Sequence, residues 1–79
     1  MLVPVYGFLE GDTMGLLVLA HDDMSIAEVI AKLRAAARVR TAWSGDAQAL
    51  FRGIALDPLA TVAEAGLAAL DRIDVRRAA

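Results

Sequence analysis

The sequence contains no cysteine, and this absence excludes several kinds of site. Without a thiol there is no disulfide, no thiolate nucleophile and no zinc site built from cysteines. Such a composition fits a reducing compartment. The first residues also lack the basic segment and the small-residue cleavage site of a secretory signal. We therefore expect an unprocessed cytoplasmic protein.

Long hydrophobic runs and clustered positive charge are missing as well. The longest apolar run covers Met14 to Ala20, well below the roughly 18 residues that a membrane-spanning helix needs. Eight Lys and Arg stand against ten Asp and Glu, which gives a net charge of -2. Nucleic-acid binding needs a concentrated basic surface. We expect neither a membrane nor a nucleic acid as a partner.

Hydrophobic side chains are abundant for a chain of this length. The 79 residues suffice for one domain, residues 1–79, and a domain of this size needs most of its apolar side chains in its core. Yet 58% of the residues are hydrophobic, against about 45–50% in a typical domain. Part of the excess is alanine. The location of the remainder is the main question that the composition raises.

Two apolar segments, residues 2–9 and 14–21, predict a pair of antiparallel strands. The residues Glu10 to Thr13 between them fit a two-residue hairpin turn of type II′. A register that pairs the first and last residues of this turn puts Tyr6 opposite Leu17. Both faces of the predicted hairpin are apolar, although an antiparallel pair usually has one polar, solvated face.

A capping box predicts the start of a helix. Ser25 and Glu28 stand at the Ser-x-x-Glu spacing in which two side chains satisfy the free amides of the first turn. The helix is expected to run to about Ala37. Its apolar residues recur at helical spacing and form one stripe. They are Ile26, Val29, Ile30, Leu33 and Ala37.

Three further elements are predicted after the helix. Residues 48–56 indicate a strand that is bent or interrupted at Gly53. Residues 61–66 repeat the capping-box pattern from Thr61 to Glu64 and end on Gly66, so a single helical turn is expected there. Residues 71–76 alternate apolar and charged side chains, as a half-buried last strand would.

The sequence offers few groups that could carry chemistry. His21 to Asp23 is the only run of metal-binding side chains, and three adjacent residues cannot all reach one metal ion. A polar loop whose aspartates lie near the helix N-terminus is the expected structure. Ser25 and Thr61 are predicted caps, and Ser44 lies in a turn, so no nucleophile with a base is indicated. We expect no catalytic residue, no metal site and no cofactor.

Two other features have more than one interpretation. Lys32, Arg34, Arg38 and Arg40 form either a solvated basic face or a surface for an acidic partner. Trp43, the single tryptophan, either covers the end of the core or anchors an interface.

The order of a hairpin, a helix and returning strands resembles the β-grasp fold of ubiquitin-like proteins. Four segments, 48–53, 56–57, 61–62 and 73–76, are similar to ubiquitin's third strand, the turn after it, its short helix and its last strand. The resemblance implies an α+β fold with a mixed sheet of four to five strands and one helix packed across it. The last residues, 76–79, lack the Gly-Gly end of a conjugated modifier or sulfur carrier, so we expect neither function.

A narrower resemblance covers nearly the whole chain. It is to the small gamma subunit of bacterial toluene monooxygenase hydroxylases. The residues that carry it are Phe8 to Glu10, Asp12, Leu16 to Val18, Ser25-Ile26, Val29, Thr61 to Leu67 and Ile73 to Val75.

This resemblance implies a non-catalytic subunit of a soluble diiron monooxygenase that oxidises aromatic or alkene hydrocarbons. In such enzymes the iron ligands lie in the large helical subunit, so the implied partners are the large and second hydroxylase subunits. The alternative is a free-standing ubiquitin-like adaptor, similar to the small proteins associated with bacterial type VII secretion.

The β-grasp fold also predicts where the apolar excess lies. Since the helix covers one face of the sheet, alternate strand residues point away from it. Leu17 and Leu19 are the predicted outer residues of the second strand, the hairpin register adds Tyr6 and Phe8, and the resemblance to ubiquitin's third strand implies Leu50 as well. We predict that these five form a protein interface, with Trp43 as a sixth candidate. The alternative is that long arginine side chains, such as that of Arg76, cover this face in a monomer.

Overall fold

The computed structural model describes residues 1–78, which form five strands and one helix. The elements are β1 (Leu2–Leu9), β2 (Gly15–His21), α1 (Ile26–Ala37), β3 (Ala47–Phe51), β4 (Ile54–Ala55) and β5 (Arg72–Arg77). The strands make one sheet in the order β2-β1-β5-β3-β4. The β1–β5 pair is parallel and the other pairs are antiparallel. The predicted α+β, ubiquitin-like β-grasp fold is confirmed.

Among residues 1–78, no helix has the length and apolar character needed to span a membrane.

The predicted register of the first hairpin is confirmed. Tyr6 lies opposite Leu17, and Val5 lies opposite Val18. Odd residues of β1 and even residues of β2 point toward the helix and are mostly buried, while their neighbours point away from it. This alternation follows from the two-residue repeat of a strand.

The predicted type II′ turn is wrong, because the turn lies one residue earlier. The Asp12 N–H donates to the Leu9 carbonyl at 2.9 Å, and Gly11 has a φ of +89°. A positive φ at the third turn residue belongs to type II rather than to type II′. Glu10 is the second residue of this turn, and its N–H donates to the Val75 carbonyl of β5 at 2.8 Å.

Helix α1 begins where the capping box predicts. The Ser25 hydroxyl accepts a hydrogen bond from the Glu28 N–H at 3.1 Å and lies 3.2 Å from the Glu28 carboxylate, to which it donates. The whole apolar stripe of the helix is buried against the sheet. Leu33 packs directly over Gly7, where an added Cβ would lie only 2.7 Å from Leu33 Cδ2. A side chain larger than glycine's at this position would therefore displace Leu33.

The predicted bent strand over residues 48–56 is instead a second hairpin. β3 and β4 pair antiparallel, with Phe51 opposite Ile54. Arg52 and Gly53 between them have φ values of +55° and +78°. Two positive φ values make the type I′ turn that tight hairpins favour. The break expected at Gly53 is thus a reversal of the chain.

The second capping box also forms. The Thr61 N–H donates to Glu64 Oε1 at 2.9 Å, and the Glu64 N–H donates to Thr61 Oγ1 at 3.1 Å. Gly66 ends this turn with a φ of +77°. The segment lies beside the start of α1, where the Ile26 N–H donates to the Ala60 carbonyl at 2.9 Å.

One core lies between the helix and the inner face of the sheet. Its fully buried large side chains come from β1, α1, β5 and the turn after residue 61, and they are Ile26, Leu33, Ile73, Val5, Val29, Val62 and Val75. Every residue of this core is apolar.

Leu70 adopts a backbone conformation that disfavours its side chain. Its φ is +68°, and the side chain is exposed. The left-handed region costs most L-residues about 1 kcal/mol or more, and Asn tolerates it better. We expect Leu70→Asn to raise the free energy of unfolding by about 0.5–1 kcal/mol. Urea denaturation followed by circular dichroism measures this change.

Leu59→Asn is the matched control, because Leu59 is also exposed but has no positive φ. An equal gain from both substitutions would contradict the assignment of strain to Leu70.

Candidate interaction surface

The sheet face opposite α1, here called the outer face, carries all five residues of the predicted patch. Tyr6, Leu17 and Leu19 are 42%, 51% and 54% exposed. Phe8 and Leu50 are half-buried. The structure thus confirms the predicted side of the sheet for these residues and leaves their role in an interface as a prediction.

A charged row divides the outer face. Ile73 and Val75 of β5 are fully buried, so the alternating Arg72, Asp74 and Arg76 lie on the outer face. β5 sits between β1 and β3 in the sheet. The row therefore separates Leu50 of β3 from the leucines of β2, and the predicted patch is not continuous. On the β1–β2 side of the row, Tyr6, Leu17 and Leu19 of the predicted patch are joined by Leu2 and Pro4, and these five residues are here called the apolar half.

Phe8 is covered within the chain. An added Cβ at Gly15 would lie 2.5 Å from the tip of the Phe8 ring, so glycine makes room for the ring. The Arg72 guanidinium lies 4.0 Å from the ring centroid on the outer face, and its Nη2 is 2.9 Å from Asp74 Oδ1. An arginine side chain therefore covers Phe8, as the alternative interpretation of this face predicts. The arginine is Arg72, whereas the prediction named Arg76 as an example.

Trp43 lies on the helix side of the sheet, away from the outer face. Its indole N–H donates to the Glu10 carbonyl at 3.0 Å. The Arg34 guanidinium of α1 lies 4.4 Å from the ring centroid, and the ring packs against the core. Trp43 therefore covers the end of the core, and its role in an interface stays a prediction.

The predicted basic face is divided between structural and solvent-exposed residues. Arg34 donates to the carbonyls of Trp43 and of Gly45, the latter at 3.0 Å. Arg40 pairs with an aspartate of the first turn, while Lys32 and Arg38 are exposed. Two of the four cations therefore hold the loop after the helix in place.

The pair formed by Asp12 and Arg40 joins this loop to the β1–β2 turn. The Arg40 Nη2 lies 2.9 Å from Asp12 Oδ2, and its Nε lies 3.1 Å from Oδ1. The Met14 N–H donates to Oδ1 at 3.2 Å, and the Asp12 side chain is only 2% exposed. The hydrogen bond from Arg40 is the main cause that lowers the pKa of Asp12 below its ordinary value of 3.8.

This lowered pKa predicts a specific loss of stability in acid. A carboxyl whose pKa is lower in the folded chain stabilises the fold above its ordinary pKa, and the contribution disappears as pH falls through the folded value. Asp12→Asn should therefore be less stable than wild type near neutral pH, and the difference should shrink below about pH 4. Urea denaturation at a series of pH values measures it. Asp23→Asn is the control, since Asp23 is exposed and lies outside the ion pairs formed within residues 1–78.

The run from His21 to Asp23 does not form a metal site. Within the described part of the chain, no group of three or more His, Cys, Asp or Glu side chains is placed to hold a metal ion. Asp22 Oδ1 accepts a hydrogen bond from the N-terminal ammonium at 3.1 Å, so this aspartate pairs with the chain terminus rather than with the helix start. The ammonium lowers the pKa of Asp22.

Sequence reasoning missed two parts of this surface. Leu2 and Pro4 share the outer face with Tyr6. The predicted register places Pro4 on this side without including it in the patch, and extending the alternation to residue 2 would have added Leu2. The contact between Asp12 and Arg40 joins residues 28 positions apart, and no local pattern signals it.

The fold and its exposed sheet face define a ubiquitin-like β-grasp protein. Solved structures show the same arrangement. Ubiquitin from Caldiarchaeum subterraneum has a TM-score of 0.79 at 14% identity, covering 100% of this chain and 96% of that one. The ubiquitin-like domain of Plasmodium falciparum Dsk2 has a TM-score of 0.73 at 18% identity, covering 99% of this chain and 100% of that one.

A narrower match identifies the family. Residues 2–76 match the family described as toluene-4-monooxygenase system protein B. A chain of the toluene 4-monooxygenase HD complex with the inhibitor 4-bromobenzoate has a TM-score of 0.91 at 24% identity, covering 99% of this chain and 100% of that one. The search of curated proteins found no match. The chain belongs to the toluene-4-monooxygenase system protein B family, and it is a small component of a monooxygenase system.

Proposed function

We propose that this chain is the non-catalytic small subunit of a cytoplasmic diiron monooxygenase hydroxylase that oxidises aromatic or alkene hydrocarbons. In this assembly it packs against the large catalytic subunit, beside the second hydroxylase subunit. Family membership supports the proposal, as does similarity to a chain of the toluene 4-monooxygenase HD complex. The observation that carries it is the exposed apolar half of the outer face.

The apolar half has the character of a subunit contact. Tyr6, Leu17 and Leu19 stand side by side on paired strands and are each about half exposed. Burying adjacent apolar side chains supplies association energy, and charged residues belong at the rim of such a contact. The row of Arg72, Asp74 and Arg76 supplies that rim. In this proposal Phe8 and Leu50 border the contact, and Trp43 serves the core.

The arrangement of the polar groups supports a non-catalytic role. The hydroxyls of Ser25 and Thr61 are both engaged with the glutamates of their capping boxes. Asp12 is held by Arg40. These groups contribute to folding, so the proposal assigns the oxidation chemistry to the large subunit.

Co-expression with the large and second hydroxylase polypeptides of the same system tests the proposal. We expect size-exclusion chromatography to show the small chain eluting with both polypeptides in fixed stoichiometry. Hydroxylase prepared without the small chain should be less soluble or less active. A small chain that elutes alone, next to a soluble and active hydroxylase that lacks it, would overturn the proposal.

A further inference from the structure

Strand β2 is a long, open edge of the sheet. The opposite edge is β4, which has only two residues, whereas β2 has seven. Residues 15–20 contain no charged residue and no proline. Proteins usually protect an exposed edge with charge, proline or short length, because its backbone can pair with another strand. β2 has none of these three protections.

The hydrogen-bond directions show which backbone groups of β2 are available. On β1, the Tyr6 N–H donates to the Asp71 carbonyl and the Glu10 N–H to the Val75 carbonyl, each at 2.8 Å. Even residues of β1 therefore point their backbone groups toward β5. The N–H and C=O groups of successive residues in a strand point to opposite sides. The odd residues of β1 therefore point their N–H and C=O groups toward β2.

The register then assigns the groups of β2. The odd β1 residues lie opposite Leu16, Val18 and Ala20, whose N–H and C=O groups complete the pairing with β1. Leu17 and Leu19 point their N–H and C=O groups away from β1, at the open edge. The same two residues carry the exposed leucine side chains of the apolar half. Free backbone groups and apolar side chains thus coincide at two positions.

We propose that β2 receives an extended apolar segment of the hydroxylase as a sixth strand, paired to the backbone of Leu17 and Leu19. This inference rests on the proposed function and names the form of the contact. An extended chain can satisfy alternating N–H and C=O groups along an edge, and alternate side chains of that segment would continue the apolar half.

Charge favours a hydroxylase segment over a second copy of this chain. Asp23, just after β2, is exposed and lies outside the ion pairs of residues 1–78, whereas Asp12 and Asp22 are paired with Arg40 and with the N-terminal ammonium. Two copies of this chain would each bring a net charge of -2 to the contact, so they repel one another. The fitting occupant is an uncharged segment with basic residues beside it.

Amide hydrogen exchange of the isotopically labelled chain, free and in the co-expressed complex, tests this inference. In the free chain we expect slow exchange at Leu16, Val18 and Ala20 and fast exchange at Leu17 and Leu19. In the complex the last two amides should slow by about tenfold or more. Fast exchange at both in a complex that forms would overturn the sixth strand and leave the proposed function standing.

Two further outcomes of the exchange experiment would overturn the sixth strand. If no complex forms, the proposed function fails and the inference falls with it. The second outcome is that the amides of Leu17 and Leu19 exchange slowly in the free chain, and more slowly as the protein concentration rises. That result would show that a second copy pairs with the edge, and it would overturn the proposal that a hydroxylase segment does so.

Two substitutions at Leu17 distinguish binding through the backbone of the β2 edge from binding through the side chains of the outer face. Leu17→Pro removes an N–H that points away from β1, which proline at an edge permits. Leu17→Thr keeps that N–H and shortens the apolar side chain. We expect both variants to fold, and the proline variant to bind the hydroxylase about tenfold or more weakly than the threonine variant. Equal binding by two folded variants would overturn the inference.

Discussion

Replacing both Leu17 and Leu19 by Asp abolishes assembly with the hydroxylase polypeptides and leaves the fold intact; this is the largest effect that we expect. Both side chains are about half exposed on the outer face, so carboxylates there remain solvated in the free chain. In the complex they would be buried without partners, which is costly. We expect association to weaken by more than about 100-fold, as measured by size-exclusion chromatography after co-expression.

Val39→Asp with Leu59→Asp is the matched control. Both residues are more than four-fifths exposed, at 88% and 85%, and lie in loops outside the sheet. We expect this double variant to assemble normally. A collapsed circular dichroism spectrum of the Leu17 and Leu19 variant would show that these residues belong to the core, and a persistent complex would show that the contact lies elsewhere.

Leu33→Ala has the largest effect expected on stability. Leu33 is fully buried in α1 and packs over Gly7, so its truncation leaves a cavity where the helix meets the sheet. Such a change costs about 3 kcal/mol. A domain of this size is stable by only a few kcal/mol, so much of the variant should be unfolded at 37 °C. Urea denaturation measures the loss.

Leu19→Ala provides the same chemical change at an exposed position. We expect it to alter the free energy of unfolding by no more than about 0.5 kcal/mol. Similar losses from both substitutions would contradict the division of leucines between the core and the outer face.

Local patterns predicted those parts of the fold that depend on neighbouring residues. Pairing the two ends of the predicted turn, Glu10 and Thr13, gave the correct pairing of Tyr6 with Leu17, because one pair fixes the register of the whole hairpin. The predicted type II′ turn was wrong because the chain turns from Leu9 to Asp12, where the Glu10 N–H donates to Val75 of the distant strand β5. The hairpin of β3 and β4 was not predicted, because its turn has Arg52 at a position with positive φ where Asn, Asp or Gly is usual.

For the candidate surface too, local patterns predicted what depends on neighbouring residues and missed what depends on distant strands. Strand alternation and the hairpin register correctly placed Tyr6, Phe8, Leu17 and Leu19 on the outer face, and the resemblance to ubiquitin's third strand correctly placed Leu50 there. It did not show that β5 inserts a charged row among them, because sheet order is set by contacts between distant segments. The aromatic contact of Arg72 likewise needs β1 and β5 as neighbours.

Hydroxyl-radical footprinting tests most directly the claim that the outer face binds the hydroxylase. The oxidation rates of side chains are compared between the free chain and the purified complex. We predict that Tyr6, Leu17 and Leu19 become protected while Val39 and Leu59 keep their rates. If Val39 and Leu59 are protected while the oxidation rates of Tyr6, Leu17 and Leu19 stay unchanged, the claim that the outer face binds the hydroxylase is contradicted.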